Sequence, residues 1–117
     1  MLMLQWIKCT GDNWCNFIAL DLQDAHFNEL SGVYVIWHGG TNPHTVRIGQ
    51  GNIRDRLNAH RNAPEILAYQ PNGLYVTWAR LPANQLDGVE AFLANQLQPL
   101  IGERFPDRTP IEVNLPR

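Results

Sequence analysis

The sequence predicts an α+β domain built on one small, largely antiparallel sheet flanked by helices. Three observations carry this. Residues 33–37 are β-branched or aromatic throughout, and residues 45–48 return after a turn-rich stretch, so 33–48 reads as a β-hairpin. Val89, Phe92, Leu93, Leu97 and Leu100 recur at helical spacing. Strands and helices are few and segregated, which favours one antiparallel sheet over a regular βαβ alternation.

The 117 residues fit one domain, with an N-terminal extension at 1–30 and a core at 31–115. In the extension, 16–22 reads as a strand and 23–30 as a short helix, with Trp6, Trp14 and Phe17 packing on the body of the domain. The first core strand is entered through Ser31-Gly32 and left through His38-Gly39-Gly40-Thr41-Asn42-Pro43-His44, a turn by composition. Gly49-Gln50-Gly51-Asn52 opens a helix with Asn52 as its N-cap. That helix ends before Pro64. Residues 63–73 are irregular or hold a short helix, closed by Pro71-Asn72-Gly73. A third strand covers 74–81, residues 82–86 connect, and a long helix covers 87–98. Residues 101–113 read as an insertion ahead of Asn114.

A chain of this length buries roughly two-thirds of the surface its unfolded form exposes, enough for a core without staples. It has no apolar run of about 18 residues, so no transmembrane helix is expected. Met1-Leu2-Met3-Leu4 is too short for the apolar region of a signal peptide, which makes the cytoplasm the expected location and a membrane partner unexpected. Cys9 and Cys15 match no zinc or redox spacing, and in a cytoplasmic protein they read as a reduced, structural pair.

The net charge of −2 weighs mildly against a sequence-independent nucleic-acid binder. Its distribution says more. Residues 9–30 carry four acids and no Lys or Arg, whereas 47–61 carry Arg47, Arg54, Arg56 and Arg61 against Asp55 alone. One segment is thus suited to face an anion.

Several side chains in these elements could carry chemistry. With Ile53 at the origin and about 100° per residue, Leu57 and His60 fall within about 40° of it, Arg56 on the edge of that stripe, and Arg54 and Asp55 on the solvated arc. Arg56 and His60 then either cover an apolar edge as a surface arginine and a satisfied core histidine or point into a polar cleft beside the sheet. Glu90 stands in a row with Leu86, Leu93 and Leu97. It either closes a capping box with Asp87 or holds a hard divalent cation, which takes one or two carboxylates plus waters. Tyr34 is core or sheet surface unless a cation lowers its phenol, whose ordinary pKa is about 10. Gly49-Gln50-Gly51 before a helix is a general anion site. It is not a dinucleotide fingerprint, because Arg54 stands where a third glycine is required.

The order of these signals is more specific than any one of them. Gly32-Val33-Tyr34, then Arg47-Ile48-Gly49, then Asn52-Ile53-x-x-Arg56-Leu57-x-x-His60, then Glu90-Ala91-x-Leu93, Pro99 and a late Asn114, resembles a GIY-YIG nuclease domain over residues 31–115. The resemblance implies a central three-stranded antiparallel sheet flanked by helices. It implies a metal-dependent endonuclease that hydrolyses phosphodiester bonds of nucleic acid, DNA foremost. Tyr34 matches the tyrosine that contacts or deprotonates the attacking water. Arg56 matches the arginine that stabilises charge on the scissile phosphate, and His60 a histidine that orients or activates the tyrosine or water. Glu90 matches the carboxylate that binds Mg²⁺ or Mn²⁺. Arg47, Gly49, Gly51 and Asn114 are the expected substrate-side residues, Asn114 matching a structural or site asparagine.

The match departs at Arg47, where the family's second motif begins with tyrosine. If the hairpin pairs Tyr34 with Arg47, the guanidinium lies beside the phenol and favours the phenolate. Otherwise Arg47 binds phosphate without chemistry. Two readings stay open: an active nuclease, or a GIY-YIG-like module that binds nucleic acid or protein without cutting.

Overall fold

The computed structural model describes residues 1–102 and 107–116. Its sheet has four strands: β1 (Cys15–Asn16), β2 (Ser31–His38), β3 (His44–Asn52) and β4 (Leu74–Arg80). They lie in the order β1-β4-β2-β3, every pair antiparallel. Three α-helices accompany them: α1 (Ile53–His60), α2 (Pro64–Leu67) and α3 (Ala83–Leu97). No helix among the described residues is long and apolar enough to cross a membrane.

The α+β class and the antiparallel sheet are as expected; the sheet has four strands where the core alone was expected to give three. The extra strand is β1, whose two residues pair with Val76 and Tyr75 of β4. The strand expected at 16–22 shrinks to this edge pairing, and the helix expected at 23–30 to a single 3₁₀ turn, Ala25–Phe27. The Asp24 side chain holds that turn by accepting from the His26 amide at 2.8 Å. The segment is core rather than appendage, since Cys15, Phe17, Leu22, Phe27 and Leu30 are all buried. The cysteines expected to be reduced are bonded to each other, Cys9 to Cys15, next to β1.

β2 is the central strand, paired on both sides, which is why its apolar run is continuous rather than alternating. Tyr34 and Ile36 face one cluster with Ile53 and Leu57 of α1, Ile66 of α2, and Val76 and Trp78 of β4. Val33 and Val35 face a second cluster with Leu86, Val89 and Leu93 of α3. The sheet therefore separates α1 from α3, and a site drawing on both helices must form at a sheet edge. The edge is β3.

Along β3 a bulge opposite Ile36/Trp37 inserts Val46, so Arg47 pairs Ile36 while Thr45 pairs Trp37. α3 starts at Ala83, a turn earlier than expected, and stops at Gln98, whose φ of 46° turns the chain before Pro99. Leu100 and Ile101 then donate to the Thr45 and Val46 carbonyls at 3.0 and 2.9 Å, covering the start of the β3 edge. The C-terminal segment crosses α3 at Gly88, where a Cβ would come within 2.6 Å of Ile111 Cδ1. The insertion expected at 101–113 lies partly outside the described residues.

Candidate active site at the β3 edge

Three charged or polar side chains are buried among the described residues: His60, Thr77 and Glu90. Two of these are site candidates. α1 delivers His60 because Asn52 caps its first turn, accepting from the Asp55 amide at 3.0 Å, so that Ile53, Leu57 and His60 share the inward face. The Tyr34 hydroxyl and His60 Nε2 lie 2.6 Å apart.

Tyr34 pairs with Gly49, not with Arg47. The condition under which Arg47 would lie directly opposite the phenol is not met, and the glycines expected to open the helix are strand residues. Gly49, Gln50 and Gly51 belong to β3, which runs directly into α1 at Ile53. A Cβ on Gly49 would sit 2.1 Å from the Tyr34 hydroxyl. Gly51, at φ 121°, has Arg56 Cγ 3.6 Å from the position a Cβ would take. The two glycines bare one face of the strand, and the Tyr34 ring and the Arg56 stem lie over them. Arg47, on the same alternation, stands diagonally from Tyr34.

Gln50 alternates to the other face, toward α3. Its Nε2 donates to Asp87 Oδ1 at 2.6 Å and to Glu90 Oε1 at 3.2 Å. Glu90 sits in the second turn of a helix capped at Pro82, so the capping box with Asp87 does not form. Asp87 also meets Arg108 Nε at 3.7 Å.

The electrostatics tie the two faces together. Burial raises the Tyr34 phenol, Arg56 and Arg47 pull it back, and Glu90 pushes it up. Burial lowers His60 to about 4, with Arg47 and Arg56 adding to the effect. Burial raises Glu90, opposed by the Gln50 hydrogen bond and by Arg47 and Arg56, and reinforced by Asp87. Both guanidinium charges thus act on all three groups. At neutral pH His60 is neutral and Tyr34 keeps its proton. The phenol O–H therefore donates to Nε2, which places the imidazole proton on Nδ1.

The basic segment is less free than its composition suggests. Arg54, expected on the solvated arc, donates to the Leu22 and Asp24 carbonyls at 2.6 and 2.9 Å and to Asn28 Oδ1 at 2.8 Å. Arg61 donates to the Phe17 carbonyl at 2.9 Å and to that of Leu20. These two arginines fasten the N-terminal segment, leaving Arg47 and Arg56 for an anion. Asn114 stands apart. Its side chain accepts from the Leu4 amide at 2.6 Å and donates to the Leu4 carbonyl at 3.0 Å, a structural clamp on the N-terminus.

Sequence reasoning missed Gln50 and Asp87. The available signal was the alternation of Gln50 between two glycines, which in a strand directs it to the opposite face. No family model matches the chain, and no curated protein or solved structure matches it either.

Proposed function

We propose that the chain is a metal-dependent endonuclease of GIY-YIG type that hydrolyses phosphodiester bonds of nucleic acid, DNA foremost. The observation that carries this reading is the 2.6 Å contact of the Tyr34 hydroxyl with His60 Nε2, within reach of two guanidinium charges and a buried carboxylate. Buried titratable groups shifted by desolvation together with specific charge partners mark a candidate functional site.

The donor set fits a hard divalent cation. Glu90 offers carboxylate oxygens with Asp87 one turn before it, and Mg²⁺ or Mn²⁺ asks for one or two carboxylates plus waters. The described residues hold no cluster of three or more His, Cys, Asp or Glu that could enclose a metal, so an ion held by Glu90 keeps most of its waters. When bound, it supplies positive charge that offsets the charge growing on the phosphate.

The protein's own part is proton handling and charge stabilisation. A water attacking phosphorus gives its proton to the Tyr34 oxygen as the phenol proton passes to His60 Nε2; the P–O ester bond on the far side breaks, and its leaving oxygen takes a proton from solvent. Arg56 stabilises the pentavalent phosphate. Burial first, and Arg47 and Arg56 second, make His60 a poor base; a phosphate between the two guanidinium groups offsets only their share.

The test is nicking of supercoiled plasmid and branched DNA with Mg²⁺ or Mn²⁺, wild type against Glu90→Ala. Cleavage by wild type alone supports the proposal, and no cleavage across a wide substrate panel overturns it. Salt-dependent DNA binding that survives Glu90→Ala without any cutting points to the binding module instead.

A further inference from the structure

Arg47 Nε is a buried side-chain nitrogen with no hydrogen-bond partner among the described residues. An unpartnered buried donor costs about 1–3 kcal/mol, and more when charged, so this guanidinium calls for a partner that the described residues do not supply. Its neighbourhood says which ligand. On the bared face of β3 the order is Arg47, then the Tyr34 ring over Gly49, then the Arg56 stem over Gly51. Two guanidinium-bearing residues thus flank one phenol hydroxyl along a single strand. The Arg56 side chain is exposed while Arg47 is half-buried, so the row opens from the interior to solvent. The carboxylates Asp87 and Glu90 are bridged by Gln50 on the opposite face.

We propose that Arg47 and Arg56 form a two-arginine seat for a phosphate group of the nucleic acid, and that this seat binds without a metal ion. Guanidinium suits the task because its planar fork of donors matches phosphate oxygens, and no other side chain offers Nε and Nη donors together. Arg47 therefore acts as a substrate-positioning residue, replacing by charge and donors what a tyrosine at that position supplies by a hydroxyl. The inference rests on the nuclease reading for its ligand but makes a separate claim.

The experiment measures binding in EDTA, where no cutting occurs. Inorganic phosphate and a thymidine dinucleotide are titrated by NMR into wild type, Arg47→Gln and Arg47→Lys, each checked for its folded spectrum. The expected result is binding by wild type. Arg47→Gln should weaken it about tenfold or more, the loss of a charge-assisted contact. Arg47→Lys should recover part of it, as a point charge without the fork. Dinucleotide binding following the same order identifies the phosphodiester as the ligand; binding of inorganic phosphate alone overturns the nucleic-acid assignment. Equal binding by wild type and Arg47→Gln overturns the seat, as does the absence of binding by wild type. Neither outcome touches the metal-dependent cleavage assay, so failure of the seat and failure of the nuclease reading are distinguishable.

Discussion

The Tyr34–His60 hydrogen bond joins two groups that burial holds neutral, and its state sets a pH signature. The folded pKa of His60, about 4, lies below its ordinary 6.5. As pH falls, the unfolded chain therefore takes up this proton first. The destabilisation is absent above about 6.5, grows through the window down to about 4, and amounts to about 3 kcal/mol when complete. Glu90 works with the opposite slope: its folded pKa is raised, so the unfolded carboxyl ionises first and stability falls with rising pH until the native one follows. Urea unfolding of wild type and His60→Gln between pH 7 and 4 isolates the histidine from this background. The wild-type curve should fall more steeply. Identical slopes would mean that His60 is not held neutral by the fold.

At the level of elements, β3 carries most of the account. Gly51 is there for its φ of 121° and Gly49 for space, so Gly49→Ala should displace the Tyr34 hydroxyl, which a Cβ would approach to 2.1 Å. Overpacking of this kind costs about 1–3 kcal/mol, and nuclease activity should fall with it. A Gly49→Ala protein as stable and as active as wild type would contradict that placement. β3 also shows where sequence reading succeeds and stops. The hairpin and the Asn52 cap were legible because they follow from residues within a few positions of each other. Gly49-Gln50-Gly51 reads as the opening of the helix because its glycines are poor strand formers; the pairing with β2 is what makes them part of β3. β1 was illegible for a related reason. Two residues carry no periodicity, and their strand exists only through β4, which lies about sixty residues on and which no local pattern announces. The inward face of α1, by contrast, followed directly from counting residues per turn.

Over the whole molecule, the N-terminal thirty residues are structural partners of the site. They supply β1 and buried Phe17, Leu22, Phe27 and Leu30, and they receive Arg54 and Arg61. Deleting residues 1–30 should abolish cooperative unfolding of the remainder, as followed by circular dichroism. A truncated chain that melts as sharply as the full one would show the extension to be dispensable. The Cys9–Cys15 bond closes a short loop, with a sequence separation of 6. The chain-entropy relation makes such a closure worth about 2 kcal/mol. Dithiothreitol should lower the urea midpoint accordingly, without changing the strand content.

These scales meet in one claim, that the edge of β3 hydrolyses phosphodiesters through the buried Tyr34–His60 pair. The most direct test is the single-turnover rate of plasmid nicking by Tyr34→Phe against wild type, at saturating Mg²⁺ or Mn²⁺. Removing a group that relays the water's proton should slow cleavage by about 10²-fold or more, in a protein whose spectrum shows it still folded. Nicking by Tyr34→Phe at the wild-type rate would contradict the account.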